Sequence, residues 1–213
     1  MKTIKILLAI GCMSVTSISV AQDSETDFRE EVRFGVKAGL NFSNVYDSRG
    51  EEFRADGKVG FAGGAFLAIP IGRYLGVQPE VLLSQKGFKG NGTFLGSDYS
   101  FTRTTTYVDI PLQIAFKPSE FVTIVAGPQY SYLIRQKDDF ESGFIDSSHE
   151  EDFDNDNIRK NIFGVVGGLD VTIKHLVIGG RMGWDITQNH GDGSSSTPRY
   201  KNFWLQGTVG YMF

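Results

Sequence analysis

Over its last twelve residues the chain alternates without a break. Phe203, Leu205, Gly207, Val209, Tyr211 and Phe213 fall on one side of an extended strand, and Asn202, Trp204, Gln206, Thr208, Gly210 and Met212 fall on the other. Side chains of a strand point to opposite faces in turn, so this segment has one largely apolar face and one mixed, more polar face. The same period recurs in seven earlier stretches, and no helical period follows the N-terminal twenty or so residues. Beyond Gln22 no apolar run approaches the ~18 residues that a membrane-spanning helix needs. The chain must therefore be built from strands.

The first stretch sets Phe34, Val36, Ala38, Leu40 and Phe42 opposite Lys37, Asn41 and Ser43. Val59 to Ile69 forms the second. In the third, Leu75, Val77, Pro79, Val81 and Leu83 oppose Gln78, Glu80, Ser84 and Lys86. The fourth sets Val108 to Phe116 against Tyr107, Asp109 and Gln113, and the fifth sets Val122 to Tyr132 against Thr123, Gln129 and Ser131. Asp170 and Thr172 lie on the polar side of the sixth, Arg181, Asp185 and Thr187 on that of the seventh. Each fits a tilted spanning strand of roughly 9–11 residues. The connections at Ile71–Arg73, Lys117–Glu120 and Thr172–His175 are tight. Those at Tyr46–Gly57, Gly87–Phe101, Ile134–Arg159 and Gln188–Arg199 are long and polar. Long and short alternate strictly. That order predicts an all-β, eight-stranded antiparallel up-and-down transmembrane β-barrel with long external loops and short periplasmic turns.

The N-terminus supplies a matching address. Lys2 and Lys5 precede the apolar run Ile6–Ile10, and Ser19-Val20-Ala21 forms a small-x-small cleavage site before Gln22. Residues 1–21 read as a cleaved signal peptide, 22–32 as a short polar periplasmic leader and 33–213 as the barrel domain. A lipoprotein reading of Cys12 is the lesser alternative, because Ala9-Ile10-Gly11 lacks the usual leucine and the apolar run before it would be very short. Cys12 is the only cysteine, so the remaining 192 of 213 residues hold together without disulfides. Removing the two leader lysines leaves 19 basic against 25 acidic residues, a net of −6 that argues against nucleic acid as a partner.

Aromatics fit two girdles on the apolar face. Phe34, Phe116, Tyr211 and Phe213 lie near the periplasmic ends, and Phe42, Phe61, Tyr130, Tyr132, Phe163, Trp184 and Phe203 near the outer ends. Glycines within strands, among them Gly167, Gly168, Gly179 and Gly180, leave room for large lumen side chains in a tightly curved wall.

Several motifs resemble a known family. They are Val20-Ala21-Gln22, the run Phe34 to Asn41, Gln78-Pro79-Glu80-Val81-Leu82-Leu83-Ser84-Gln85-Lys86-Gly87, Tyr107-Val108-Asp109-Ile110-Pro111-Leu112, Ala126-Gly127-Pro128 and Gly179-Gly180-Arg181-Met182-Gly183 with Asp185-Ile186-Thr187. Over nearly all of the mature length the chain is similar to the PorT-like outer membrane protein beta-barrel domain family. The resemblance implies an outer-membrane β-barrel of a Gram-negative bacterium and assigns no activity, since a fold shared this widely does not fix function.

The chemistry-bearing residues lie on the inward parity. Lys37, Glu80, Asp109, Asp170, Arg181 and Asp185 are expected to form a structural charge network filling the lumen, because buried charges need partners. Tyr211 and Phe213 are expected to act as a barrel-assembly signal. No catalytic residue and no cofactor is expected: His190 near Asp192 and Ser194 lies in a Gly/Ser-rich loop that cannot hold a catalytic geometry. Asp152, Asp154 and Asp156 have calcium-loop spacing, but Asn157 stands in the glycine position and Phe163 in that of the bidentate glutamate. They remain a weak divalent-cation candidate, and a solvated acidic loop is the preferred reading. The expected role is structural or interactive, with outer-membrane lipid, the barrel assembly machinery and extracellular or envelope proteins as partners. A small porin or ion channel and a soluble lipocalin-like barrel binding an apolar ligand are the alternatives.

Overall fold

The computed structural model describes residues 28–47, 55–94, 97–142, 145–151, 159–189 and 200–213. After a 3-10 turn at Phe28–Glu30 come β1 (Arg33–Asp47), β2 (Ala55–Pro70), β3 (Leu75–Phe94), β4 (Ser97–Phe116) and β5 (Val122–Ser142). These are followed by β6 (Ile145–Glu151), β7 (Asn161–Ile173), β8 (Leu176–Asp185) and β9 (Tyr200–Met212). All neighbours pair antiparallel. β1 pairs with β2 on one side and β9 on the other, from Gly35↔Met212 to Asp47↔Tyr200, so the sheet closes on itself. β6 and β7 both pair with β5, β6 against its outer part and β7 against Val122 to Tyr132. They share one place in the ring, and the wall is eight-stranded.

The alternation read from the sequence is the alternation of the wall. Along β8 exposed and buried residues alternate throughout, with Val177, Gly179, Arg181, Gly183 and Asp185 inside. Outward-facing Val36, Leu40, Val81, Leu112, Ile114, Phe163, Ile178 and Val209 are all exposed. That coat of apolar side chains suits lipid and not water. Aromatic pairs bound it at both ends: Phe34 stacks on Phe213 at 4.6 Å near the short turns, and Trp184 lies 5.5 Å from Phe203 at the other end. The short turns fall at 71–74, 117–121 and at Lys174-His175, where Lys174 takes a φ of 54°.

Two connections differ from expectation. Gly87–Phe94, Ser97–Phe101 and much of Ile134–Arg159 are not loops but continue the hairpins, so that β3, β4 and β5 run to 20, 20 and 21 residues. Pairing extends to Phe94↔Ser97 and to Tyr99↔Ser142, and β6 adds Ser142↔Ile145 to Gln136↔Glu151. Polarity marks where lipid ends, not where a ladder must stop. The adjoining run Thr102–Thr106 supplies four β-favouring threonines to β4. Most of the other two long connections, and Asp152, Asp154, Asp156 and His190, lie outside the described residues.

Candidate functional site in the barrel lumen

An eight-stranded wall leaves an interior that side chains fill. The six charged residues assigned to the lumen are all buried, Lys37 being the most exposed at 6%. They do not form one network. Toward the short-turn end, Lys37 of β1 pairs with Glu80 of β3 at 2.6 Å. Arg181 of β8 grips Asp170 of β7 with both terminal nitrogens, at 2.8 and 2.6 Å, and reaches Glu80 at 3.4 Å. Gln78 donates to Glu80 at 3.0 Å and to Asp170 at 3.2 Å. Two cations face two carboxylates, so the cluster is formally neutral. Its geometry depends on missing side chains: a Cβ on Gly168 would lie 2.7 Å from the Arg181 Cδ, and one on Gly179 2.6 Å from an Asp170 oxygen.

Above this lies an uncharged layer. Asn41 donates to the Ser84 hydroxyl at 2.8 Å and accepts from Gln206 at 2.9 Å. Beyond it Lys86 pairs with Asp109 at 3.1 Å while its ammonium sits 5.0 Å from the Tyr107 ring and 5.1 Å from the Trp204 ring. Asp185 accepts from the Asn202 amide at 2.6 Å and does not touch Arg181. Lys86 was absent from the expected charge set, although its parity with Glu80 and Ser84 in β3 carried the signal. Gln78 and Asn202 are found in the same way, by counting residues on the inward face.

The outer end of the lumen is apolar. Tyr107, Leu133 and Ile162 form a buried cluster. Phe88 meets Tyr200 edge-on at 5.1 Å, and Trp204 is 2% exposed. Over these rings Arg103 holds Asp138 through two hydrogen bonds, at 2.8 and 2.7 Å. From the short-turn end outward the interior thus runs ion pairs, amides and hydroxyls, a second ion pair, then an aromatic and aliphatic cap.

At the opposite end the β9–β1 seam is fastened around Phe213. Its N–H donates to the Phe34 carbonyl at 2.8 Å, and its carbonyl accepts from Arg33 Nε at 3.0 Å. His175 Nδ1 lies 2.8 Å from the Met212 carbonyl, its ring stacked on Tyr211 at 5.2 Å. Among the described residues no group of His, Cys, Asp and Glu could hold a metal ion.

The chain is similar to several solved structures. The attachment invasion locus protein Ail of Yersinia pestis, crystallised with the heparin analogue sucrose octasulfate, is 16% identical over 86% of this chain and 99% of its own, with a TM-score of 0.50. Neisserial surface protein A is 14% identical over 84% and 97%, with a TM-score of 0.47. A major outer membrane protein of Thermus thermophilus is 14% identical over 85% and 99%, also at 0.47. At such identities the likeness to Ail is one of fold. No curated protein matches the chain in sequence. The family model described as "Outer membrane protein beta-barrel domain" matches residues 20–191. With the closed wall, the apolar coat and the polar interior, this places the protein in the outer membrane, and the chain belongs to the outer membrane protein beta-barrel domain family.

Proposed function

We propose that this protein is a non-conducting, non-enzymatic barrel of the PorT-like branch, with a structural and interaction role in the cell envelope. In this reading residues 1–21 are the cleaved signal peptide, 22–32 the periplasmic leader and 33–213 the barrel, inserted by the barrel assembly machinery. Lys37, Glu80, Asp170 and Arg181 with the Lys86–Asp109 pair hold the wall together from inside, and the extended β3–β6 hairpins present a surface to extracellular or envelope partners. One observation carries it: ion pairs and hydrogen-bonded polar side chains fill the middle of the lumen, and Tyr107, Leu133 and Ile162, each 3% exposed or less, pack together beyond them. An aqueous path would have to displace both the ion pairs and the apolar cap. Purified protein in planar bilayers is expected to give no stepped current up to 150 mV or thereabouts, about 3.5 kcal/mol per elementary charge. Reproducible unitary conductance would replace this reading with the channel one.

A further inference from the structure

Among the described residues, Tyr107, Leu133 and Ile162 pack across the outer part of the lumen, whereas the short-turn end is open. Below Gln78 and Asp170 the wall and turns enclose a cup of about 1120 Å³. Small-molecule sites commonly occupy roughly 300–1,000 Å³, so the space is ample. Short turns face the periplasm in this architecture, and the cup opens there.

Its lining carries a net excess of two positive charges. Arg29, Arg33, Arg73, Lys117 and Lys174, with His175 beside them, face the carboxylates of Glu31 and Glu120. Asp170 in the roof is already held by both terminal nitrogens of Arg181. The chain as a whole carries net −4, so this excess of cations is local. It is also assembled by the topology: Arg73, Lys117 and Lys174 come from three different turns, and Arg33 from the start of β1. The Phe28–Glu30 turn is drawn onto the rim, where Lys117 donates to the Arg29 carbonyl at 3.1 Å and the Arg29 guanidinium stands 5.5 Å over the Tyr74 ring. Phe66, Tyr74 and Phe121 give the cup an apolar side. A concave site with a net cationic lining, here five cations against three carboxylates, backed by low-dielectric walls, concentrates positive potential on its contents, and guanidinium forks match the oxygens of phosphate and carboxylate.

We infer that the cup is a binding site for a small organic anion bearing phosphate or carboxylate groups, reached from the periplasm. The outer cap closes the lumen to traffic from the other side, so such a ligand is bound and released at one mouth and not transported.

The protein beginning at Gln22, refolded in detergent, is titrated with pyrophosphate and separately with citrate at roughly 0.15 M salt, where long-range surface attraction is largely screened. Saturable binding is expected, with the backbone amides of Lys117, Lys174 and His175 shifting by NMR. R73Q/K174Q, altered at two exposed turn positions, is expected to bind about tenfold more weakly or worse. K137Q, on the far side of the membrane, serves as the control and is expected to leave binding unchanged. Retention of the heat-shifted gel band by each variant establishes that it folds. Binding of one probe and not the other supports the site and assigns its chemistry. Three results overturn the proposal: no saturation by either probe, equal weakening by K137Q, or markedly tighter binding once residues 23–27 are deleted. The last would make the acidic segment Asp23–Asp27 the occupant instead.

Discussion

At the residue scale, Arg181 carries the heaviest duty in the lumen. Its guanidinium satisfies Asp170 through two short hydrogen bonds and bridges to Glu80, which in turn neutralises Lys37. Removing one member of a buried ion set strands the others without water, whereas replacing the whole set by apolar groups need cost nothing. Arg181→Leu is therefore expected to lower stability by about 3–5 kcal/mol. The check is the urea midpoint in detergent together with the heat-shifted gel band; an unchanged midpoint would mean that the cluster does not hold the wall. That Arg181 points inward was legible from its parity with Asp185. Its partners were not, because Glu80 lies 101 residues away and the pairing depends on how strands β3 and β8 face each other across the lumen.

At the scale of the element, the hairpins illustrate what polarity does and does not encode. Gly87–Phe101 reads as a loop because its residues are polar and glycine-rich, yet Gly87 to Phe94 pairs continuously with Ser97 to Thr104. Beyond lipid a strand no longer needs an apolar face, only a neighbour in register, and the β3–β4 ladder in the membrane provides that register. Because the extension lies outside the filled lumen, its removal is expected to leave the barrel intact. A variant in which Asn-Gly joins Lys89 to Thr102 should keep its heat-shifted band and change stability by no more than about 0.5–1 kcal/mol. A larger loss in the urea midpoint would show that the outer sheet supports the membrane-spanning part.

For the molecule as a whole, closure is the decisive event, and the aromatic seam between β9 and β1 marks where it happens. Phe213 is 53% exposed and stacks on Phe34, with Tyr211 edge-on at 4.9 Å. An aromatic pair contributes about 0.5–1.5 kcal/mol beyond its buried area. If Tyr211 and Phe213 serve as the assembly signal, Y211A/F213A is expected to reduce folded protein in cell envelopes several-fold while its refolding in vitro changes little. Equal losses in the two assays would reduce the pair to packing.

By itself the sequence determined the eight-fold wall, the face that each strand turns to lipid, the positions of the three short turns and the inward direction of all six expected lumen charges. These follow from a period of two acting against an apolar solvent, which is local information repeated along the chain. The tertiary structure alone decided that the ion pairs divide into two clusters with Asp185 bonded to Asn202 instead, that Lys86 completes the second, that apolar residues pack across the outer part and that basic turns gather around a cup at the other end. Each of these depends on which distant strands meet, at what register and across how narrow an interior, and no local period records that.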